Sequence, residues 1–245
     1  MKPVQFLSNS AQIANIIKGL TLTKSLFVSS ILIGERYTGK KTLIKTLFPN
    51  TIYVDASNEN ELNRALESYD EVVIYNFETL NNIESLNFEN KRIIAIANHV
   101  HNSALIARRF AFIYQMPSLL ERSEDIEMLT TYFCSHTKKE LMINLEVELD
   151  LEHIDLSENI KSLKASIYKQ IVTNSLTEED IERILYTYLY KKIEGNNAYR
   201  EHLGIYEKPL IQAGLKKFKS QLKLSAILGL NRNTLRKKIH EYDFD

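Results

Sequence analysis

The segment GERYTGKK, residues 34–41, limits the fold of this 245-residue sequence more than any other feature. An apolar run at residues 26–34 precedes it and predicts a buried strand, and residues 40–47 predict a helix. A strand, a loop that ends in Gly-Lys and a helix form a phosphate-binding loop, because backbone N–H groups and the helix N-terminus then face an anion. The segment therefore predicts an α/β domain with a phosphate site; the alternative is a glycine-containing turn that binds nothing.

The loop and the first residues of its helix supply the expected phosphate ligands. Lys40 reaches the outer phosphates, while the backbone at Gly34 and Gly39 curls around them. The eighth position of the motif is a lysine instead of the usual hydroxyl that holds Mg²⁺, and Thr42 follows one residue late, about 100° around the helix. The nucleotide-binding residues expected in this segment are Gly34, Glu35, Thr38, Gly39, Lys40 and Lys41.

Hydrolysis requires acids that the sequence does not place in the usual positions. Residues 71–75 predict a strand, and an Asp for the metal and a Glu for the attacking water normally follow such a strand. Tyr75 and Asn76 stand there instead. A working ATPase would have to use Glu78, a few residues further on, or a residue from a neighbouring subunit. The pattern therefore favours binding without catalysis, and we assign no catalytic residue.

Strand-like and helix-like runs alternate through the first half of the chain, which predicts a parallel sheet with crossover helices. After Pro117 the apolar residues lie three or four apart, which predicts helices only, with Ser157 and Thr177 as N-caps. The predicted strands are residues 26–34, 52–55, 71–75 and 92–97. The predicted helices are residues 11–20, 40–47, 60–68, 79–86, 123–136, 157–172, 177–193, 208–218, 223–228 and a last one after Asn231.

Composition excludes several classes of protein. Apolar residues make up 44% and charged residues 25% of the chain, as in globular proteins of one or two domains. The single cysteine, Cys134, indicates a reducing compartment, and no apolar stretch approaches the ~18 residues of a membrane span. His99 and His101 form a close pair, but without further ligands they predict loop side chains and no metal site. We therefore expect a soluble, cytoplasmic protein.

The C-terminal segment carries a charge imbalance that the whole chain hides. Lys+Arg and Asp+Glu balance at 31 each, yet residues 207–245 hold nine of the former and four of the latter. Apolar side chains in this segment can supply a small core, Gly229 favours the end of one helix, and Asn231 favours the start of the next. The segment therefore predicts a helix-turn-helix whose second helix is basic. The alternative is a basic helical domain that binds proteins.

Several strings, in order, resemble the AAA+ domain of NtrC-type bacterial enhancer-binding proteins. ILIGERYTGKK is similar to its first strand and phosphate loop, RIIAIANHV to its sensor I strand, MPSLLERSEDI to its LPPLRERxEDI and SENIKSLKASI to its GNVRELENxI. The resemblance implies an AAA+ P-loop sheet with a helical lid that binds ATP or ADP, with Mg²⁺ where binding is productive. It also assigns Asn98 to sensor I and Lys161 to sensor II.

The sequence departs from that family in parts that matter for activity. Thirty residues separate Lys41 from Val72, which leaves no room for the inserted GAFTGA loop that engages the nitrogen-type alternative sigma factor. The position of the family's arginine finger falls near Asn102 and Ser103. Together with the end of the third strand, these departures imply a degenerate ATPase that does not remodel a sigma factor directly.

Residues 229–242, GLNRNTLRKKIHEY, resemble the recognition helix of the Fis-type domain. Arginine can read guanine through two hydrogen bonds in the major groove, whereas lysine contacts to phosphate set register and affinity. Two paired chains would place their recognition helices one helical turn apart on double-stranded DNA, which implies a homodimer or higher homo-oligomer. The implied DNA-binding residues are Asn231, Arg232, Asn233, Thr234, Arg236 and Lys237, with Lys223 and Lys238 at phosphates.

These interpretations divide the chain into three parts. Residues 1–136 form the AAA+-like α/β domain, residues 137–205 a helical lid and linker, and residues 206–245 the all-α Fis-type domain. We expect a cytoplasmic, nucleoid-associated transcriptional regulator that binds DNA sequence-specifically and contacts no membrane. Two alternatives stay open: a working ATPase of the enhancer-binding type, and an architectural protein that bends DNA.

Overall fold

The computed structural model describes residues 5–80, 82–144 and 146–244, which form two compact units, Met1–Ser175 and Leu176–Asp245. The first unit contains α1 (Ala11–Leu26), β1 (Ser30–Ile33), α2 (Lys40–Leu47), β2 (Ile52–Asp55), α3 (Glu59–Ser68), β3 (Glu71–Tyr75), β4 (Arg92–Ala97), α4 (Ser103–Arg109), β5 (Phe112–Gln115), α5 (Glu124–Glu140) and α6 (Ile160–Asn174). The second contains α7 (Glu178–Tyr190), α8 (Ala198–Phe218), α9 (Gln221–Ile227) and α10 (Arg232–Glu241). The region expected to be lid and linker, residues 137–205, is thus divided between the two units.

A five-stranded parallel sheet, in the order β2-β3-β4-β1-β5, is the framework of the first unit. Such a sheet is covered on both faces, so successive side chains of one strand enter different cores. In β1, Ile31 and Ile33 face one core and Leu32 faces the other. The phosphate loop leaves the carboxyl end of β1, beside the end of β4 and one strand away from the end of β3. This edge is where open α/β sheets bind ligands.

Helices α5 and α6 build a separate core beyond the sheet. Both carry apolar residues three or four positions apart, and these side chains are buried against each other. The fully or nearly fully buried members are Leu119, Leu129, Phe133, Leu163, Ile167 and Ile171. This packing fixes the start of α6 relative to the rest of the first unit.

The first predicted strand is shorter than expected, whereas the strands at 52–55, 71–75 and 92–97 are confirmed. Helix α1 continues to Leu26, and only Ser30–Ile33 form β1. The buried face of α1 runs through Ile13, Ile16, Leu20 and Thr23 at helical spacing, so packing against the sheet extends the helix beyond residue 20. The helix ends only at Phe27, whose φ is 49°.

The helix predicted at residues 79–86 is wrong. The described residues of this region form two short 3₁₀ turns, Phe77–Thr79 and Ile83–Ser85, and residue 81 lies outside the described residues. Asn76 precedes the first turn with a left-handed φ of 56°, and the side chain of Asn82 accepts a hydrogen bond from Glu84 N at the second. Local asparagine hydrogen bonds of this kind compete with a continuous helix. The short elements α4 and β5 were not predicted.

The caps explain where the later helices begin. Thr177 caps α7 as predicted, in a capping box with Asp180. Ser157 does not cap a helix; Asn159 precedes α6 instead. The helix predicted from residue 208 begins ten residues earlier, and Pro209 lies inside it. Each helix in the described ranges is too short or too polar to cross a membrane.

Candidate phosphate-loop and DNA-binding sites

The loop after β1 closes around the side chain of Lys40. Its Nζ donates hydrogen bonds to the carbonyl oxygens of Gly34 and Glu35, each at 2.5 Å, and to Asn98 Oδ1 at 3.2 Å. Burial lowers the pKa of Lys40 to about 8, with Glu78 and Glu35 acting in the opposite direction. An anionic phosphate group beside Lys40 would favour its charged form.

Asn98 and Glu78 form the polar end of the same site. Asn98 follows β4, and its backbone N donates to Glu78 Oε2 at 3.1 Å. Its side-chain amide donates to the other oxygen of that carboxylate. The residue expected at sensor I therefore links Lys40 to the carboxylate that sequence reasoning named as a substitute catalytic acid.

Lys41, in the first turn of α2, contacts Tyr75 at the end of β3. The ammonium Nζ of Lys41 lies 3.4 Å from the centroid of the Tyr75 ring, a cation–π contact. Asn76, the residue after β3, donates a hydrogen bond from Nδ2 to Asp55 Oδ2 at 2.9 Å. Within the part of the chain that the structure describes, Lys41 makes no hydrogen bond or ion pair.

These side chains line a cavity of about 840 Å³. The charged side chains of its lining are mainly basic. One is acidic, Glu78, and five are basic: Arg36, Lys40, Lys41, Lys161 and Lys164. The expected nucleotide-binding residues that line it are Gly39, Lys40, Lys41, Asn98 and Lys161. Sequence reasoning missed Arg36, Tyr37 and Lys164, although Lys164 lies three residues after Lys161 and so on the same helix face. The volume and the charge of this cavity fit a phosphate chain.

The other three expected residues support the loop without lining the cavity. Thr38 is fully buried, and its hydroxyl donates to the carbonyl oxygen of Glu35 at 3.0 Å. The Glu35 carboxylate accepts a hydrogen bond from Asn159 Nδ2 at 3.0 Å. A Cβ on Gly34 would lie 2.5 Å from the carbonyl oxygen of Met116, so this close approach requires glycine.

Asn159 joins the start of α6 to the loop. Its Nδ2 also donates to the carbonyl oxygen of Arg36 at 3.1 Å, and its Oδ1 accepts from Leu119 N at 2.7 Å. Two residues further, the ammonium of Lys161 lies 2.8 Å from a Glu158 carboxylate oxygen and is exposed. That hydrogen bond raises the pKa of Lys161.

Arg122, in the ERSEDI string, is a fully buried guanidinium under the loop. Its Nη2 donates to the carbonyl oxygen of Thr38 at 2.5 Å, and its Nη1 lies 3.2 Å from Asp125 Oδ2. Asp125 is also fully buried and accepts from Ser8 Oγ at 2.7 Å and Asn9 N at 2.6 Å. One ion pair thus connects the loop, α5 and the segment before α1.

In the second unit, α9 and α10 form a helix-turn-helix. Gly229 in the turn has a φ of 63°, a conformation that favours glycine. The side chain of Asn231 caps α10 by accepting from Asn233 N at 2.9 Å, as predicted. The core of this unit is small, and its buried apolar residues are Ile211, Leu224, Leu235 and Ile239.

Most of the expected DNA-binding side chains of these two helices are exposed. The exposed ones are Asn231, Arg232, Asn233, Thr234, Arg236 and Lys237, with Lys223 on α9. Lys238 differs, since its Nζ lies 2.6 Å and 2.7 Å from the two oxygens of Glu207 on α8. Tyr242 Oη donates to the same carboxylate at 2.8 Å, which raises the pKa of Tyr242 to about 12. This pairing leaves Lys238 less available to a phosphate than its neighbours.

The histidine pair does not belong to a larger cluster. His99 Nε2 lies 3.2 Å from His101 Nε2, and both side chains are in contact with each other in a loop after β4. Among the described residues, no group of three or more His, Cys, Asp or Glu side chains could hold a metal ion.

The sheet order, the phosphate loop after the first strand and a helix that closes on the loop define the first unit as an AAA+ fold, and the second unit contains a helix-turn-helix. Residues 203–242 match the model of the bacterial regulatory protein, Fis family. An NtrX-like response regulator of Rickettsia typhi is 26% identical over 156 residues, 55% of this chain. The chain covers 33% of that curated relative, about a third of its length.

Two crystal structures of NtrX from Brucella abortus share the fold. The complex with ATP is 15% identical with a TM-score of 0.52, and the alignment covers 97% of this chain and 69% of that one. The complex with ADP is 13% identical with a TM-score of 0.51, over 98% of this chain and 70% of that one. These likenesses, together with the match at residues 203–242, confirm the predicted architecture, an AAA+ fold followed by a Fis-type domain.

Proposed function

We propose that this protein is a sequence-specific transcriptional regulator that reads double-stranded DNA with α10. The observation that carries the proposal is the exposed surface of Arg232, Thr234, Arg236 and Lys237 in a domain that matches the Fis family. Arg232 and Arg236 lie four residues apart, so both project from the same face of the helix. Their guanidinium groups suit the paired acceptors on the major-groove edge of guanine.

A homodimer is the assembly that suits this helix-turn-helix. Helix α8 exposes apolar side chains along one stripe, including Tyr199 (79% exposed), Tyr206 (64%) and Leu210 (37%). Residues spaced by seven and four positions share one helix face. Pairing of two such stripes would bury them and present two copies of α10 to successive major grooves.

Replacing Arg236 by alanine should weaken binding to a preferred site by ~1–3 kcal/mol and relax the preference at one base position. The reason is the loss of a guanidinium that reads a base edge. Binding is measured by salt-titrated fluorescence anisotropy on a site selected from randomised DNA and on random DNA, with two chains expected per selected site. Lys223→Ala should instead weaken both DNAs alike and reduce the salt slope by about one unit.

Lys191→Ala, at the C-cap of α7 and outside the helix-turn-helix, is the matched control and should change neither affinity nor salt slope. Equal losses for Arg236→Ala on both DNAs would contradict sequence reading. Footprints at many weak sites, with few strong ones, would then favour the architectural alternative.

We also propose that the cavity at the phosphate loop binds ATP or ADP without hydrolysing it. The basic lining and the buried Lys40 support nucleotide binding, and the NtrX structures with ATP and ADP share this fold. Tyr75 and Asn76 stand where the metal-binding and water-activating acids are normally found. The protein would then use nucleotide as a ligand that stabilises the first unit, and it would not drive sigma-factor remodelling.

A working ATPase is the second candidate, because Glu78 lies in this cavity, bonded to Asn98. We expect ATP turnover by the full chain with Mg²⁺ to equal that of Lys40→Ala, while ATP at 100 times its Kd raises the stability of the wild-type first unit by ~2.7 kcal/mol. A phosphate-release assay and thermal unfolding measure the two effects. Turnover well above Lys40→Ala that disappears in Glu78→Gln would establish the ATPase instead.

A further inference from the structure

Two positions beside the phosphate loop carry side chains unsuited to a metal ion. In phosphate loops, the residue after the loop lysine supplies a hydroxyl to Mg²⁺, and the end of a strand separated from β1 by one other strand, here β3, supplies an Asp. Here these positions are Lys41 and Tyr75, and they contact each other at 3.4 Å. An ammonium repels a divalent cation and an aromatic ring offers it no oxygen ligand. The residues present therefore do not fit Mg²⁺.

The carboxylates nearest to this point are engaged elsewhere. Asp55 accepts hydrogen bonds from Asn76 Nδ2 and from Ser57 N and Oγ. Glu78 accepts hydrogen bonds from the backbone N and the side-chain Nδ2 of Asn98. These hydrogen bonds hold both carboxylates in position beside the strand ends.

Lys41 forms no ion pair among the described residues. Its contact in the described part of the chain is the Tyr75 ring, which holds the ammonium at the cavity wall. Burial, followed by the nearby Lys45, lowers the pKa of Lys41, with Asp55 opposing. Both causes that lower this pKa would be offset by a phosphate group in the cavity, because it would supply the missing negative charge.

We propose that the cavity binds a nucleoside triphosphate in its metal-free form, with the Lys41 ammonium in the place that Mg²⁺ takes in other phosphate loops. The inference rests on the proposed nucleotide binding and specifies the form of the ligand. Free ATP carries two more negative charges than its Mg²⁺ complex, and the cavity meets it with five basic side chains. Mg²⁺ in solution therefore competes with the protein for the phosphates.

The test is isothermal titration of the full chain with ATP, once in excess EDTA and once in millimolar Mg²⁺. We expect binding about tenfold tighter in EDTA, an effect within the range of one close charge pair in a partly buried site. Lys41→Met should lose about tenfold in EDTA, and its preference for metal-free ATP should be smaller than that of the wild type. Lys45→Met, one turn further along α2 and outside the cavity lining, is the matched control and should retain the wild-type preference.

A double variant tests the cause directly. Lys41→Thr with Tyr75→Asp restores the hydroxyl and the carboxylate, and ATP should then bind more tightly with Mg²⁺ than in EDTA. Unfolding temperatures without nucleotide, equal to wild type, show that each variant is folded. Tighter wild-type binding with Mg²⁺, or equal losses for Lys41→Met and Lys45→Met, would overturn the proposal while leaving nucleotide binding intact. Absence of ATP binding in both solutions would instead refute the proposed nucleotide site, and this inference with it.

Discussion

Replacing Arg122 by alanine should destabilise the first unit by ~3–5 kcal/mol, the usual effect of removing one partner of a buried ion pair. The variant leaves the carboxylate of Asp125 buried without its counter-ion, and it removes the hydrogen bond to the carbonyl oxygen of Thr38. Urea unfolding followed by far-ultraviolet circular dichroism measures the change. Arg108→Ala, an exposed arginine on α4, is the control and should stay within ~0.5 kcal/mol of wild type.

The partner variant shows whether the ion pair acts as a unit. Asp125→Ala should also be strongly destabilising, because Ser8 and Asn9 lose their acceptor as well. The double variant should cost less than the two single effects added together, since neither charge is then left alone. A change below ~1 kcal/mol for Arg122→Ala would mean that water or another group satisfies Asp125, and the tie between the loop and α5 would have to be abandoned.

Leu224→Ala should destabilise the second unit by ~2–5 kcal/mol, because it empties part of a core with few buried apolar side chains. Leu224 is fully buried against Gly214 of α8, where an added Cβ would lie 2.3 Å from Leu224 Cδ1. Gly214→Ala alone should therefore also destabilise, by ~1–3 kcal/mol. In the Leu224→Ala background the same change should be neutral or favourable, because the space for the methyl group is then open.

The stability of the second unit in Leu224→Ala and Gly214→Ala is measured by hydrogen exchange of residues 203–242, followed by mass spectrometry in the full chain. DNA affinity should fall as these residues lose protection from exchange. Gly204→Ala is the control within the same helix: its Cβ would lie 3.7 Å from the Tyr242 hydroxyl, an ordinary contact. Gly204→Ala should increase the free energy of unfolding by up to ~1 kcal/mol, because alanine has the higher helix propensity. Destabilisation by Gly214→Ala that is equal with and without Leu224 would disprove the packing argument.

The elements best predicted from the sequence are those whose signal is local. The strands at 52–55, 71–75 and 92–97 are short β-branched or apolar runs between polar residues, and the caps at Thr177 and Asn231 act within three residues. Where a local preference met a competing hydrogen bond, prediction failed. Asparagines divide residues 77–85 into short turns, whereas α1 continues past residue 20 because Thr23 is buried on the same face as Leu20.

The candidate site was predictable to the extent that it follows the loop motif. Lys40 and Asn98 line the cavity because a strand, a loop and a helix bring them there, and their role in nucleotide binding stays a prediction. The contact between Lys41 and Tyr75, and the ion pair of Lys238 with Glu207, depend on side chains that are distant in sequence. No spacing rule encodes such pairs, so they could be found only once the helices and strands were packed.

Asn159 has a strained backbone conformation, and its side-chain hydrogen bonds offset the free energy of that strain. Its backbone, at φ 53° and ψ −130°, lies in a region that residues with a Cβ rarely adopt, and such strain is of order 1–3 kcal/mol. Three side-chain hydrogen bonds, to Glu35, Arg36 and Leu119, contribute ~0.5–1.5 kcal/mol each and balance it. Glycine would relax the backbone but lose all three bonds. A movement of the phosphate loop that breaks these hydrogen bonds would therefore also let the backbone of Asn159 leave its strained conformation. The loop and the first turn of α6 would then change conformation together.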